Sequence, residues 1–175
     1  MVKMIGIRPV REDELSLLKS IAEQTFTETF GHDNTPEQLQ SFFDTDYALE
    51  TLQAELKHPD TEINFILLNN QVVGYLKLNW GEAQTEFELD NALEIQRIYI
   101  LKAYQGEGLG KFAFEYALEV AESGPFDWAW LGVWEHNIKA QTFYSHYGFE
   151  KFAEHEFVVS EDKVDTDWLL RKSLS

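Results

Sequence analysis

The sequence predicts an α/β (α+β) domain with a mixed β-sheet, and three observations support this prediction. Two apolar runs flank Asn69-Asn70-Gln71, which indicates a pair of antiparallel strands joined by a tight turn. Strand-like and helix-like segments then alternate from residue 94 to residue 171. Finally, 44% of the residues are hydrophobic and 14% are aromatic, which is enough to build a core around a layered sheet.

The first half is predicted to contain one strand, three helices and the hairpin. A helix opens at Asp13 and closes at Phe30-Gly31, with apolar residues at helical spacing between them. Thr35 followed by Pro36 is typical of an N-cap with proline at the first helical position. The remaining elements are a strand over 3–8, a helix over 49–56, and hairpin strands over 63–68 and 72–78.

The second half opens with a polar, acidic surface excursion over residues 81–92, which carries Glu82, Glu86, Glu88 and Asp90. After it we predict strands over 94–101 and 128–134, helices over 108–123 and 138–147, and strands near 149–159 and 167–171. There is no internal repeat or break in composition. We therefore predict a single domain over residues 1–175.

The composition excludes several classes of function. The formal net charge of -17 would repel nucleic acid and anionic membrane surfaces, so a cationic partner fits better. With no cysteine, the chain lacks disulfides, zinc-thiolate sites and a cysteine nucleophile. The five histidines show no metal-ligand spacing, so no metal is predicted, although His155 is kept in view. The N-terminal residues lack the apolar core of a signal peptide, so a cytoplasmic location is expected.

The most informative segment is a glycine-rich loop between a predicted strand and a predicted helix. It comprises Gln105, Gly106, Glu107, Gly108, Leu109, Gly110 and Lys111. Closely spaced glycines let several backbone N–H groups point at one ligand, and the helix start behind them favours an anion. The loop is not a P-loop, because three residues separate Gly106 from Gly110 and Phe112 replaces the hydroxyl residue. Its glycine spacing also differs from a dinucleotide-binding fingerprint, which leaves a simple helix-capping turn as the structural alternative.

A second motif lies 32 residues after Gln105. It runs Asn137-Ile138-Lys139-Ala140-Gln141-Thr142-Phe143-Tyr144, with Gly148-Phe149 shortly after it. Together with the glycine loop, this motif resembles the GNAT N-acetyltransferases. Further segments are similar to the PaiA-type spermidine/spermine N-acetyltransferases of that superfamily: residues 25–30, 74–79, 94–100, 130–135 and 166–167.

The resemblance implies the GNAT fold, with a mostly antiparallel sheet that splays at an acyl-CoA cleft and helices on both faces. It implies that backbone groups of Ile98, Tyr99 and Ile100 contact the acetyl and pantetheine portions of acetyl-CoA. The main chain from Gln105 to Lys111 would hold the pyrophosphate, and Asn137 would bind the pantetheine arm. Acetyl-CoA is then a cosubstrate.

Two residues are candidates for catalysis. Tyr144 matches the family's general acid, although an aromatic residue on such a helix could also be a packing residue. Glu94 matches the position where some members carry a general base that acts through water. A protonated alkylamine must lose a proton before it attacks, which gives a carboxylate a task, but Glu94 fits a surface or substrate-binding role equally well.

We therefore predict direct attack of a small amine on acetyl-CoA in a ternary complex. The preferred acceptor is a polyamine, because the resemblance indicates one and an acidic surface attracts a multiply charged cation. Amino acids, aminoglycosides and protein amines remain alternatives, as does an acyl-CoA-binding regulatory protein without catalysis. Whether the chain forms a homodimer is left open by its sequence.

Overall fold

The computed structural model describes residues 2–161 and 163–175, which form a seven-stranded sheet and five α-helices. The chain order is β1 (Ile5–Pro9), α1 (Leu15–Phe30), α2 (Pro36–Asp46), α3 (Leu49–Lys57), β2 (Thr61–Leu68), β3 (Gln71–Trp80), β4 (Ala92–Ile100), α4 (Leu109–Ser123), β5 (Trp128–Trp134), α5 (Ile138–His146), β6 (Glu150–Ser160) and β7 (Lys163–Ser173). None of the helices in these ranges is long and apolar enough to cross a bilayer.

The strands lie in the order β1-β2-β3-β4-β5-β7-β6. Every neighbouring pair is antiparallel except β4 and β5, which are parallel and joined through α4. Helices cover both faces of the sheet. The predicted fold class, a mixed and mostly antiparallel α/β sheet of the GNAT type, is confirmed.

The parallel pair β4–β5 is joined at one end and open at the other. The ladder pairs Ala92 with Trp128, Leu93 with Ala129 and Glu94 with Trp130. In the described chain, this ladder does not continue into residues 95–100 of β4 and 131–134 of β5. Residues 95–100 stay bonded to β3, and residues 131–134 stay bonded to β7. A bulge at Gln96 in the β3–β4 ladder lies where the separation begins. The result is a cleft at the carboxyl ends of the two strands.

Local sequence signals explain several element boundaries. The Thr35 hydroxyl accepts a bond from Gln38 N (3.1 Å), while Gln38 Oε1 accepts one from Thr35 N (2.8 Å). This capping box starts α2 with Pro36 in its first turn. Asn69 and Asn70 join β2 to β3 with φ values of 51° and 68°, as a tight hairpin turn requires. The predicted N-cap and hairpin are both confirmed.

The two faces of the sheet have separate cores. One face packs against α4 and α5 through a large apolar cluster that includes Leu76, Leu93, Phe114 and Leu131. The other face packs against α1, α2 and α3 over β2 and β3. On this second face the β5–β7 half of the sheet is covered by a smaller cluster around Trp130. The cleft between β4 and β5 therefore lies between two firmly packed halves.

Among the boundaries that differ from the prediction, the starts of two strands have a clear physical reason. The strand expected over 94–101 begins at Ala92, because Ala92 and Leu93 are buried and pair with β5. The strand expected over 167–171 is extended to Lys163–Ser173. Its polar first half pairs with β6 as a hairpin, so backbone hydrogen bonding rather than apolar periodicity defines its start.

Candidate active site

The glycine loop has the geometry of an anion cradle. Gly106 and Gly108 have φ values of 88° and 81°, a left-handed conformation that suits glycine. Gly108 is the N-cap of α4, and the first amide bonded back to it is that of Phe112, at 3.1 Å. In the part of the chain that the structure describes, the backbone amides of 106–111 donate no hydrogen bond to protein groups. They are the unpaired donors expected at a helix start.

The space in front of these amides is open. A Cβ built on Gly106, Gly108 or Gly110 would have no protein atom within 4 Å. Lys3 adds a positive charge: its Nζ donates to the Glu107 carbonyl (2.6 Å) and lies 3.2 Å from the Glu107 carboxylate. The loop therefore fits a pyrophosphate, since unpaired backbone donors and a helix start meet there, while Lys3 offsets the charge of the Glu107 carboxylate. The sequence patterns did not indicate Lys3, which lies 104 positions away along the chain.

The predicted pantetheine contacts lie beside this loop. Ile98, Tyr99 and Ile100 pair with β3 on one side, while their other edge faces the cleft. Asn137 caps α5 through its Oδ1, which accepts a bond from Ala140 N at 3.1 Å, so its amide group is left to donate. The structure brings these residues to the open end of the cleft. Their contacts with acetyl-CoA stay predictions.

Tyr144 lies on α5 and packs against Phe114 of α4, with ring centroids 5.2 Å apart. Burial raises the pKa of its hydroxyl. Among the described residues, the hydroxyl makes no hydrogen bond to another protein group. Tyr144 is therefore both a packing residue and a free proton donor, and its role as general acid stays a prediction.

Glu94 is buried at the closed end of the cleft, opposite Trp130. Its Oε1 accepts hydrogen bonds from Asn79 Nδ2 (3.0 Å) and from Thr85 N (2.9 Å). Its Oε2 accepts one from the Thr85 hydroxyl at 2.5 Å. Both oxygens therefore anchor the acidic 81–91 segment to the sheet. A general-base role for Glu94 stays a prediction, but the carboxylate already has a structural task.

Asp167 on β7 is a second carboxylate at the cleft. It lies opposite Trp134 in the β5–β7 ladder, and a Cβ on Gly132 would lie 3.5 Å from its Oδ2. The pKa of Asp167 is raised to about 6, mainly by burial. His155 opposes this shift, while Asp165 and Glu86 contribute to it. Asp167 lies in a segment whose sequence is similar to the PaiA-type enzymes, but no sequence pattern indicated a role for it.

Tyr99 connects the groups around the cleft. Burial is the main cause of its raised pKa, and negative charge on Tyr144 or on Asp167 raises it further. Tyr144 comes from α5 and Asp167 from β7, so the two groups approach Tyr99 from different elements. We take the open end of the β4–β5 cleft, which these elements border, as the candidate reaction centre.

An acidic group surrounds Asp167. Glu86, from the 81–91 segment, has its Oε1 3.1 Å from His155 Nδ1 on β6. His155 pairs with Asp167 across the β6–β7 ladder, and neighbouring cross-strand residues share a face of the sheet. Burial raises the pKa of Glu86, and Glu88 and Glu94 raise it further. We call Glu86, Asp165 and Asp167 the acidic rim of the cleft.

A different group of charges lies under α3. Lys77 Nζ is 3.1 Å from Glu55 Oε2, and Arg97 NH1 is 3.4 Å from Glu55 Oε1. Lys77 and Arg97 are almost fully buried, and burial lowers the pKa of Lys77. This cluster holds α3 to β3 and β4, and its charges are paired within the protein.

A surface cavity also lies away from this cleft. A cavity of about 840 Å³ lies at the far end of α4 from the glycine loop, between Trp80, Tyr116 and Phe126. Few charged groups and no helix start line this cavity. The cleft, which has both, is therefore the better candidate for the active site. Within residues 2–161 and 163–175, no group of three or more acidic or histidine side chains could hold a metal ion.

Comparisons with known proteins match this geometry. Residues 18–149 match the acetyltransferase (GNAT) family. The chain is 41% identical over 173 residues to an uncharacterized N-acetyltransferase in the pepI 3′ region of Lactobacillus delbrueckii subsp. lactis, covering 98% of this chain and 99% of the relative. It is 28% identical over 137 residues to the uncharacterized N-acetyltransferase Rv2669 of Mycobacterium tuberculosis, covering 76% and 81%.

Solved structures show the same fold. The PaiA N-acetyltransferase of Thermoplasma acidophilum, solved in complex with coenzyme A, superposes with a TM-score of 0.77 at 19% identity, covering 97% of this chain and 99% of that one. The ribosomal-protein-S18-alanine N-acetyltransferase of Escherichia coli gives a TM-score of 0.73 at 14% identity, covering 98% and 95%. At these identities the likeness concerns the fold.

Proposed function

The chain belongs to the acetyltransferase (GNAT) family and is an acetyl-CoA-dependent N-acetyltransferase, and from this premise we propose that its acceptor is a polyamine such as spermidine or spermine. The observation that carries the proposal is the acidic rim, which provides three carboxylates at the open end of the cleft. Among the groups that shift the pKa of Asp167, the imidazole of His155 opposes these carboxylates. Several carboxylates in one place suit an acceptor with several ammonium groups.

Acetyl-CoA occupies the cleft in this proposal. The amides of 106–111 and the start of α4 hold its pyrophosphate, aided by Lys3. The free edge of β4 from Ile98 to Ile100 and the Asn137 side chain hold the pantetheine arm. The thioester then lies at the open end of the cleft, near Tyr99. The coenzyme A complex of the Thermoplasma acidophilum PaiA enzyme, which has the same fold, supports this placement.

The acceptor approaches from the face of the sheet that bears the acidic rim. Strand alternation places Gly132, Trp134, Asp167 and His155 on this face, while Leu131 and Val133 pack into the opposite core. A polyamine could place one amine near the thioester and its distal ammonium groups near Glu86 and Asp165. Direct attack of the amine needs no covalent acyl-enzyme, in keeping with a chain without cysteine.

The proposal is tested by acetylation kinetics with spermidine, n-butylamine and a peptide with an N-terminal alanine, with released thiol as the signal. We expect the highest kcat/KM for spermidine, and a spermidine preference that shrinks as rising ionic strength screens the carboxylates. Glu86→Gln and Asp165→Asn should raise KM for spermidine with a smaller effect on kcat.

A matched control is Glu156→Gln, which removes one charge from an exposed residue on the opposite face of β6. It should leave the spermidine preference unchanged. Efficient acetylation of the peptide combined with no turnover of spermidine at low salt would reject the polyamine proposal. The family and the acetyl transfer would stand in that case.

A further inference from the structure

We propose that Asp167, rather than Glu94, accepts the proton that the acceptor amine loses during acetylation. The inference requires only that an amine is acetylated, so it does not depend on the acceptor being a polyamine. It assigns a catalytic role to β7, which no sequence motif indicated. The two carboxylates differ in their placement and in their hydrogen bonds.

Glu94 is poorly suited to the task. It is 3% exposed, and each of its oxygens accepts a hydrogen bond from the segment or strand beside it. A proton on Glu94 would break at least one of these bonds and release the Thr85 anchor of the 81–91 segment. Both oxygens are thus already engaged in holding the 81–91 segment and Asn79, away from an approaching amine.

Asp167 has the opposite properties. It is partly exposed, it lies beside the bare backbone of Gly132, and in the described residues no hydrogen bond or ion pair engages its carboxylate. Its cross-strand neighbour Trp134 carries a buried indole N–H that, likewise within the described ranges, has no hydrogen-bond partner. Buried polar groups of this kind are usually satisfied by water or ligand. Two unengaged polar side chains therefore lie at neighbouring positions on the strand pair that borders the cleft.

The electrostatic surroundings also suit a base. Asp167 faces His155 on β6, Asp165 on its own strand, Glu86 on the 81–91 segment and Tyr99 on β4. Burial is the main cause of its raised pKa, at about 6, and the two neighbouring carboxylates add to it. A general base works best when its pKa lies near the working pH, because it is then ionised and still binds a proton well.

The proposed step moves protons through Asp167 and Tyr144 while the acetyl group passes from sulfur to nitrogen. The Asp167 carboxylate takes one proton from the ammonium group and later releases it to solvent. The neutral amine nitrogen bonds to the thioester carbonyl carbon, and the carbon–sulfur bond breaks as the tetrahedral species collapses. The Tyr144 hydroxyl gives its proton to the departing sulfur and regains one from the acetylated nitrogen. The products are an N-acetylamine, coenzyme A thiol and one proton.

The test is the pH dependence of kcat/KM in Asp167→Asn, measured with whichever of spermidine, n-butylamine and the alanine peptide the wild type turns over best. For wild type we expect a rise that levels off near pH 6, once Asp167 is ionised, and a plateau up to the pKa of the acceptor amine, about 10 for an alkylamine and about 8 for the peptide N-terminus. The variant reacts only with the neutral amine, so its kcat/KM should rise throughout that range. With an alkylamine it should lie about 10²- to 10⁴-fold below wild type at pH 7, and with either kind of amine it should approach wild type near the amine pKa.

Thermal unfolding provides a readout that a structural carboxylate would not give. The folded pKa of Asp167 lies above its unfolded value, so the charged side chain destabilises the fold above about pH 6 and has no such effect below about pH 4. Asp167→Asn should therefore raise Tm at pH 8, and the gain should disappear as the pH falls through 6 to 4. A residue kept for stability would instead lower Tm when replaced.

Two kinetic results would overturn the assignment. One is an Asp167→Asn enzyme within about twofold of wild type at pH 7, with the plateau retained. The other is loss of the plateau in Glu94→Gln with Asp167→Asn unaffected. Glu156→Gln, the matched loss of charge on the other face of β6, should keep the wild-type profile. A carboxyl-carbon NMR titration of the wild type, which requires no variant, should show Asp167 titrating near pH 6; a value near 4 would also contradict the proposal.

Discussion

Single residues in this cleft show how packing and chemistry can be separated by small substitutions. Tyr144 packs against Phe114, Phe143 and Phe149 through its ring, while its hydroxyl makes no hydrogen bond in the described residues. Tyr144→Phe should therefore keep Tm and coenzyme A affinity. If the hydroxyl protonates the leaving sulfur, turnover should fall by about 10²- to 10⁴-fold, measured by single-turnover kinetics.

A matched control is Phe143→Leu on the same helix, which changes packing and leaves the Tyr144 hydroxyl in place. It should lower Tm with a small effect on the chemical step. If Tyr144→Phe retained turnover within about twofold while chemistry was limiting, Tyr144 would be a packing residue alone.

The same scale shows which site residues a sequence can reveal. Tyr144 and Asn137 belong to one short motif on one helix, so their spacing is visible in the chain. Asp167 depends on Gly132, His155 and Glu86, which come from three separate segments. Its partial burial and raised pKa arise after those segments meet, and no local pattern encodes them.

Among the elements, the start of α4 provides the sharpest test of coenzyme A binding. Gly110 lies within the helix, and a Cβ there would meet no protein atom within 4 Å. Gly110→Asp should therefore leave the fold intact, while its carboxylate repels the pyrophosphate and fills the space in front of the amides. We expect loss of measurable coenzyme A binding by calorimetry.

Two further variants are compared with Gly110→Asp. Ser123→Asp adds the same charge at the other end of α4 and should keep wild-type affinity. Gly108→Asp is a poorer test than Gly110→Asp, because Gly108 has a φ of 81° and a side chain there costs about 1–2 kcal/mol. Unchanged affinity in Gly110→Asp would show that the pyrophosphate binds elsewhere.

Most elements were visible in the sequence because their signals are local. The capping box of α2, the two-asparagine hairpin and the apolar stripe of α4 each lie within a few residues. The end of α5 was predicted one residue too late, at Tyr147, which is the C-cap. The polar start of β7 could not be recognised, because it is a strand through its pairing with β6.

At the scale of the whole molecule, the net charge of -17 acts on the two substrates with opposite sign. It repels coenzyme A, an anion, and attracts a polyamine. Raising the ionic strength from about 0.01 M to about 0.15 M shortens the Debye length from about 30 to about 8 Å. We therefore expect the association rate of coenzyme A to rise and the KM for spermidine to rise as well, by stopped-flow fluorescence and steady-state kinetics.

Neutral osmolyte at matched osmolarity is the control, since it changes water activity without screening charge. Association of coenzyme A that slows as salt is added would mean that the local charges of Lys3 and the loop outweigh the charge of the whole chain. The mostly antiparallel pairing of the strands and the splay of β4 from β5, unlike the elements, depend on contacts distant in sequence. They were expected through family resemblance, since periodicity contains no information on which strands pair.

The position of β7 between β5 and β6 has a consequence for protein synthesis. The glycine loop and about the first nine-tenths of the chain leave the ribosome before β7 does, and β5 has no partner on its outer side until β7 arrives. A nascent chain can therefore present the pyrophosphate cradle well before Asp167 reaches the cleft. On this view, the growing polypeptide gains the means to hold its cosubstrate earlier than the means to use it.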